Sequence, residues 1–188
     1  MVNRVARVIR LDRGVFDDAQ SDEAGLVAAA QVVGLVAIAI TVGTGLQIAT
    51  GELPRSANPT GAMIGSLLAP FIHWLIWSVL IYAVGSLAFQ GVATFPATLR
   101  MIGFAMAPLA LGIFSFVPIV GSVMTIVGQL LSLRAGSLAV QAAHRFDSRR
   151  TIATLAVTFV VALVLSNGVR ALLTQVGFWD ALVGPFRR

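Results

Sequence analysis

Apolar residues dominate five long runs of this 188-residue sequence. A helix needs about 20 residues to cross a hydrocarbon core of about 30 Å, and each run is long enough to do so. The pattern therefore predicts an all-α fold, a polytopic membrane helix bundle with five transmembrane helices. The predicted spans are residues 24–49, 62–89, 98–117, 119–143 and 151–175.

The residues before the first run have a different pattern. On a helical wheel, Val5, Val8 and Ile9 fall on one half, and most of the arginines fall on the other. A basic amphipathic segment of this kind is typical of a helix that lies at the membrane interface, against anionic headgroups. Residues 1–23 are thus predicted to form an amphipathic cytoplasmic or interfacial head; the alternative is a tail whose arginines only set the topology. Its predicted membrane-surface residues are Arg4, Arg7, Arg10 and Arg13.

Prolines and glycines mark the places where the spans are interrupted or reversed. Pro118 and Gly121 predict a tight reversal between the third and fourth spans. Pro108 lies in the middle of the third span, where it frees a backbone carbonyl and predicts a kink. Small residues four positions apart favour close packing of helices within the bundle. Such pairs are Gly61 with Gly65, and Ser132 with Gly136.

Composition narrows the possible functions. The chain is 57% hydrophobic and 11% charged, whereas soluble domains average about 25% charged residues. Five spans leave only short connections and a tail at residues 176–188, so no soluble domain remains to hold an active site. The absence of cysteine removes disulfide, thiolate and haem-attachment chemistry. The first run is longer than a signal-peptide core and follows acidic residues, which indicates a retained span.

The placement of the arginines predicts the orientation. They cluster in the head and in the connection HRFDSRRT before the fifth span, and few lie near the opposite span ends. The positive-inside rule then puts the N-terminus in the cytoplasm and the tail outside. The basic residues lie beside membrane spans, so we expect no nucleic-acid partner.

A series of glycines, prolines and aromatic residues in the second half resembles the Yip1 domain family. A Tyr-x-x-Gly at a span end leads to a glycine and a phenylalanine in a short turn. A Gly-aromatic-Ala-x-x-Pro stretch and a Pro-x-x-Gly reversal follow. The matching positions are Tyr82, Gly85, Gly91, Phe95, Gly103, Phe104, Ala105, Pro108, Pro118 and Gly121. The resemblance covers roughly residues 1–175.

This resemblance implies a five-span domain over residues 24–175, with a cytoplasmic N-terminus and an external C-terminus. Eukaryotic members bind prenylated small GTPases in vesicle traffic and carry an acidic, tyrosine-containing N-terminal motif. The head of this chain does not contain that motif. The resemblance therefore implies a multi-pass protein of the prokaryotic type, in the cytoplasmic (inner) membrane.

One charged side chain stands out inside an apolar run. The segment LLSLRAGSLAV places Arg134 near the middle of the fourth span, where an arginine costs about 2.5–3.5 kcal/mol. The spans offer no acidic partner, so we expect bonds to carbonyls freed near Pro108, to amides such as Gln129, or to a lipid phosphate. We interpret Arg134 as a structural tie within the bundle, with an ion or lipid pathway as the alternative. Arg170 is expected to anchor the outer end of the fifth span.

Histidine and serine supply the remaining candidate chemistry. His73, inside the second span and followed by two tryptophans, is a weak candidate ligand for haem or chlorophyll. We expect it to bond a neighbouring helix instead, and we predict no cofactor and no metal site. Ser137 and His144 would suit an intramembrane hydrolase, but they are seven residues apart on one helix. No catalytic residue is therefore predicted.

These features favour a non-enzymatic scaffold, accessory or assembly module that packs against other membrane proteins, against itself, or against membrane lipids. Two alternatives remain open. An oligomeric small-solute or lipid transporter or channel would use Pro108 and Arg134 to line a polar cavity. An accessory subunit of a respiratory or photosynthetic membrane complex would use the same bundle to bind its partners.

Overall fold

A computed structural model describes residues 25–52 and 58–175, with side chains to residue 165. Five helical segments in this part are long and apolar enough to cross a membrane, which confirms the predicted fold class. The observed ends lie within a few residues of the predicted ones. The helices are α1 (Gly25–Thr50), α2 (Pro59–Ala83, continued by a π-helical turn Val84–Ala88), α3 (Phe95–Ala105, continued by a 3₁₀ segment Ala107–Phe116), α4 (Val120–His144) and α5 (Ser148–Gln175).

Short polar residues start the helices where the sequence provides them. The Asn58 side chain accepts hydrogen bonds from the backbone N–H groups of Thr60 and Gly61 at the start of α2. Thr94 caps α3 in the same way, and Asp147 accepts from the backbone N–H of Arg150 at the start of α5, at 2.9 Å. Each cap satisfies N–H groups that have no partner inside their helix.

The third span changes its helical geometry at Pro108. The α-helical pattern ends at Ala105 and continues as a 3₁₀ segment to Phe116. Proline has no N–H and clashes with the preceding turn, so the α-helical bonds cannot continue through it. The freed carbonyl of Ala105 accepts a hydrogen bond from Ser132 Oγ of α4, at 2.9 Å. The proline therefore creates a polar link between two spans.

The two sides of the bundle differ in the connections that they hold. The side that holds the ends of α1 and the 3₁₀ segment is called the Pro118 side, and the opposite one, where α4 ends, the His144 side. The apolar core lies in the half nearer the His144 side, where residues of α1 to α4 pack together. Met101 and Phe104 of α3 are fully buried there, and Trp74 Nε1 donates to the Leu99 carbonyl at 2.7 Å.

The half nearer the Pro118 side is held by close approaches of backbone. A Cβ atom added at Gly43 of α1 would lie 2.6 Å from the carbonyl oxygen of Gly112, and one at Gly121 would lie 2.6 Å from that of Phe114. At Gly128 of α4, the added atom would lie 2.8 Å from the Pro108 carbonyl oxygen. Glycine is thus required where α1 and α4 contact the 3₁₀ segment.

The fifth helix turns a polar face inward. Thr151, Thr154 and Thr158 recur at helical spacing and are fully buried. Thr151 and Thr154 donate their hydroxyls to backbone carbonyls of the preceding turn. This bonding satisfies the buried hydroxyls of those two residues without a partner helix.

Two glycines that differ only in their surroundings test the packing at the proline. Gly128→Val should lower the free energy of unfolding by about 1–3 kcal/mol, because the side chain would push α4 away from the Pro108 carbonyl. Gly65→Val is the control, since a Cβ there meets no described atom within 4 Å. Unfolding by denaturant in mixed micelles, followed by circular dichroism, measures both. Equal stability of the two variants would contradict this packing.

Candidate functional site

A cavity of about 740 Å³ lies between the spans and receives residues from all five helices. On α2 its lining extends from Ser66 to Ile81, which is about 22 Å of helix. The core residues described above do not fill it, because the tight packing lies mainly nearer the His144 side. The cavity is therefore a space within the depth of the membrane.

Polar and apolar lining residues are unevenly distributed along the cavity. The part nearer the His144 side is lined by Ile81, Ile102, Leu155 and Phe159. Most of the side chains that carry polar atoms lie nearer the Pro118 side; these are Thr44, Gln47, Ser66, Ser115, Thr125 and Gln129. His73, Trp77 and Ser132 also line the cavity, nearer the middle of their helices.

Most of these polar groups are already bonded to backbone. Gln47 Nε2 donates to the Ser115 carbonyl at 2.9 Å, Thr125 Oγ1 donates to the Gly121 carbonyl at 2.8 Å, and Ser66 Oγ donates to the Met63 carbonyl at 2.8 Å. The Gln129 side chain forms no hydrogen bond with the part of the chain that the structure describes. Its amide is thus available to a ligand.

His73 lines this cavity near the middle of α2. Its ring contacts Trp77, with ring centroids 5.7 Å apart, and forms no hydrogen bond within the described residues. The bond to a neighbouring helix expected from the sequence is therefore not observed there. Within residues 25–52 and 58–165, no group of three histidine or acidic side chains could hold a metal ion.

Arg134 lies on the outer surface of α4, away from the cavity. Its Nη1 donates to Ser137 Oγ at 3.2 Å, and Ser137 Oγ donates to the Arg134 carbonyl at 2.7 Å. Both bonds stay within one helix, so the expected tie to another part of the bundle is not among them. The freed carbonyl near Pro108 is occupied by Ser132 instead. Arg134 is ten residues, or about 15 Å, from the last residue of α4.

His144 occupies a narrow slot that sequence reasoning missed. The side chain is 2% exposed, and its ring stacks on Phe146 with centroids 5.0 Å apart. A Cβ atom added at Gly85 would lie 2.7 Å from the ring Nε2, and one at Gly91 would lie 2.8 Å from the ring Cγ. The signal was present, since Gly85 and Gly91 belong to the motif that carried the resemblance. The sequence motif did not predict that these two glycines contact the His144 ring.

The two candidate groups for hydrolysis are not assembled. Ser137 bonds to its own helix, and both ring nitrogens of His144 are buried without a hydrogen-bond partner in the described part of the chain. A general base must come within hydrogen-bond reach of its nucleophile. This pair therefore offers no nucleophile and base in the described arrangement.

Other predicted positions have simple places in the fold. Pro118 and Gly121 lie at the reversal, where the Gly121 N–H donates to the Val117 carbonyl at 2.7 Å. Arg170 belongs to the helical range of α5, and its side chain lies outside the described residues. The head, with Arg4, Arg7, Arg10 and Arg13, and the tail also lie outside them.

The fold and these features define a multi-pass integral membrane protein of the helix-bundle class, with a cavity between its spans. A family model described as Yip1 domain matches residues 9–167, which is most of the chain. The chain belongs to the Yip1 domain family, as the motif residues indicated. No curated protein and no solved structure matches it.

The close contact between Gly85 and the His144 ring predicts that substitutions at these two positions have coupled effects on stability. Gly85→Ala should lower the free energy of unfolding by about 1–3 kcal/mol, because the methyl group would overlap the imidazole ring. The same change in a His144→Ala background should cost clearly less, since contacting residues couple by about 0.5–3 kcal/mol. Unfolding of the four proteins in micelles measures this cycle.

Gly65→Ala is the matched control for that cycle, because nothing described lies within 4 Å of the added atom. It should leave the free energy of unfolding nearly unchanged in either background. A cost of Gly85→Ala that is the same with and without the imidazole ring would show that the slot is not formed.

Proposed function

We propose that this protein is a non-enzymatic assembly module of the membrane, which binds another integral membrane protein or a second copy of itself through the outer face of α4. The observation that carries the proposal is the position of Arg134, exposed on that face and about 15 Å from the end of the helix. A scaffold or an accessory subunit of a larger membrane complex is the role that such a face supports.

An arginine that faces lipid carries an energetic cost. At the centre of a span this cost is about 2.5–3.5 kcal/mol, and such residues normally face a protein interior or a polar partner. Arg134 has Ser137 beside it, and one hydroxyl satisfies only one of its five N–H donors. A carboxylate or a carbonyl of a partner helix would satisfy more of them.

The surroundings of Arg134 suit a helix partner. Ser137 and Gln141 follow it at helical spacing, so a polar stripe extends from Arg134 toward the His144 side. Toward the Pro118 side, the same face presents Val123 and Leu130, which are 47% and 61% exposed. A partner helix with a polar residue opposite Arg134 and apolar residues beyond it would match this division.

The proposal places the His144 side in the cytoplasm of a prokaryotic cell, with the protein in its inner membrane. Arg145, Arg149 and Arg150 lie at the connection between α4 and α5 on this side, as the positive-inside rule requires. Membrane lipids and membrane proteins are the proposed partners. Nucleic acid is not among them, because these basic residues stand next to membrane spans.

Replacement of Arg134 tests the assembly. We expect Arg134→Leu to weaken the association by about 1–2 kcal/mol, or roughly tenfold, because the partner's polar group would lose its ligand inside the membrane. Arg134→Lys keeps the charge and should weaken the association less. Gentle solubilisation, native-gel sizing and mass spectrometry of comigrating proteins measure the species formed.

Val160→Leu on α5 serves as the control, since Val160 is 57% exposed and distant in sequence from the α4 face. It should assemble as the unchanged protein does. Arg134→Leu that stays folded by circular dichroism and assembles as before would overturn the proposal.

A further inference from the structure

We infer that the cavity between the spans binds one hydrocarbon chain of a bilayer glycerolipid, with the ester end of the lipid at the Pro118 side and the chain end toward the His144 side. This inference goes beyond assembly through α4, because the cavity and the Arg134 face are separate surfaces. It rests on the dimensions of the cavity, its polarity and its position in the membrane.

The dimensions suit a narrow, elongated ligand. The cavity holds about 740 Å³ along about 22 Å of α2. The volume lies in the range of about 300–1,000 Å³ that is usual for sites of small ligands.

The polarity favours a lipid over water. Ile81, Ile102 and Phe159 line the part nearer the His144 side, and these three side chains offer water no hydrogen-bond partner. An empty space there would leave these side chains without contacts on one face, which costs dispersion energy. Within the membrane the filling material at hand is hydrocarbon.

The polar groups set the direction of the bound lipid. Thr44, Gln47 and Thr125 lie near the ends of their helices on the Pro118 side, which is the depth of the lipid ester groups. Gln129, deeper along α4, has an amide without a hydrogen-bond partner among the described residues and can donate to an ester carbonyl. The chain beyond the ester then passes His73 and ends among the apolar residues.

Gly136 is a suitable position for a substitution that reduces the space in the cavity. It lines the cavity, and a Cβ atom added there meets no described atom within 4 Å. Gly136→Phe should therefore take up part of the cavity without distorting the helices. Gly65→Phe is the matched control, because an added Cβ at Gly65 also meets nothing within 4 Å, and Gly65 lies outside the lining.

The experiment uses the full chain in vesicles of phosphatidylcholine that contain a small fraction of phosphatidylcholine with a diazirine on one acyl chain. After irradiation, peptide mass spectrometry locates the adducts. A diazirine near the chain end should label Trp77, Ile81 and Phe159, and one near the ester should label Thr125 and Gln129. Labelling in the opposite order would overturn the proposed direction.

Occupancy provides the second readout. Gly136→Phe should reduce the labelling of lining residues about tenfold, as expected when a site excludes at least two methylene groups. Gly65→Phe should label as the unchanged protein does. Circular dichroism and native-gel sizing of both variants separate lipid loss from failed folding or assembly. Labelling that is unchanged in folded Gly136→Phe, or crosslinks to a second chain at these residues, would overturn the inference.

Discussion

Backbone polar groups inside a membrane must find their partners within the protein, and the third span of this chain must meet that requirement around a proline. Pro108 ends the α-helical bonding and frees carbonyls that water cannot reach. Ser132 of α4 binds one of them, at Ala105, and the segment beyond continues with 3₁₀ geometry. The neighbouring helices come close through Gly43 and Gly128. The rest of the bundle is arranged around this segment.

The bundle consequently has two unlike halves. Near the His144 side, α1 to α4 form a packed core around Met101 and Phe104. Toward the Pro118 side, glycines allow α1 and α4 to pack against the 3₁₀ segment. Helices α2 and α5 pack less closely against that segment. The space left between them is the cavity. The close packing against the 3₁₀ segment and the cavity beside it thus both follow from the change of helical geometry at Pro108.

The motif glycines of the Yip1 domain family have a physical explanation in this fold. Gly85 and Gly91 enclose the ring of His144, and Gly121 approaches the carbonyl of Phe114. Gly103 lies where an added Cβ would be 2.9 Å from Ala29 and 3.0 Å from Trp74 Nε1. Each position is a contact between segments far apart in the sequence or at a reversal of the chain. These glycines are therefore positions where backbone and side chains of different segments come close.

The sequence by itself determined the five spans, because crossing a hydrocarbon core demands long apolar runs whatever their neighbours are. It also located the interruption at Pro108 and the reversal at Pro118, which depend on local backbone geometry. Only the tertiary structure decided which faces meet. It put Arg134 on the outer surface, and it buried His144 between two glycines. Both the protein-facing and the lipid-facing sides of the spans are mostly apolar, so hydrophobic pattern alone could not distinguish a face toward protein from a face toward lipid.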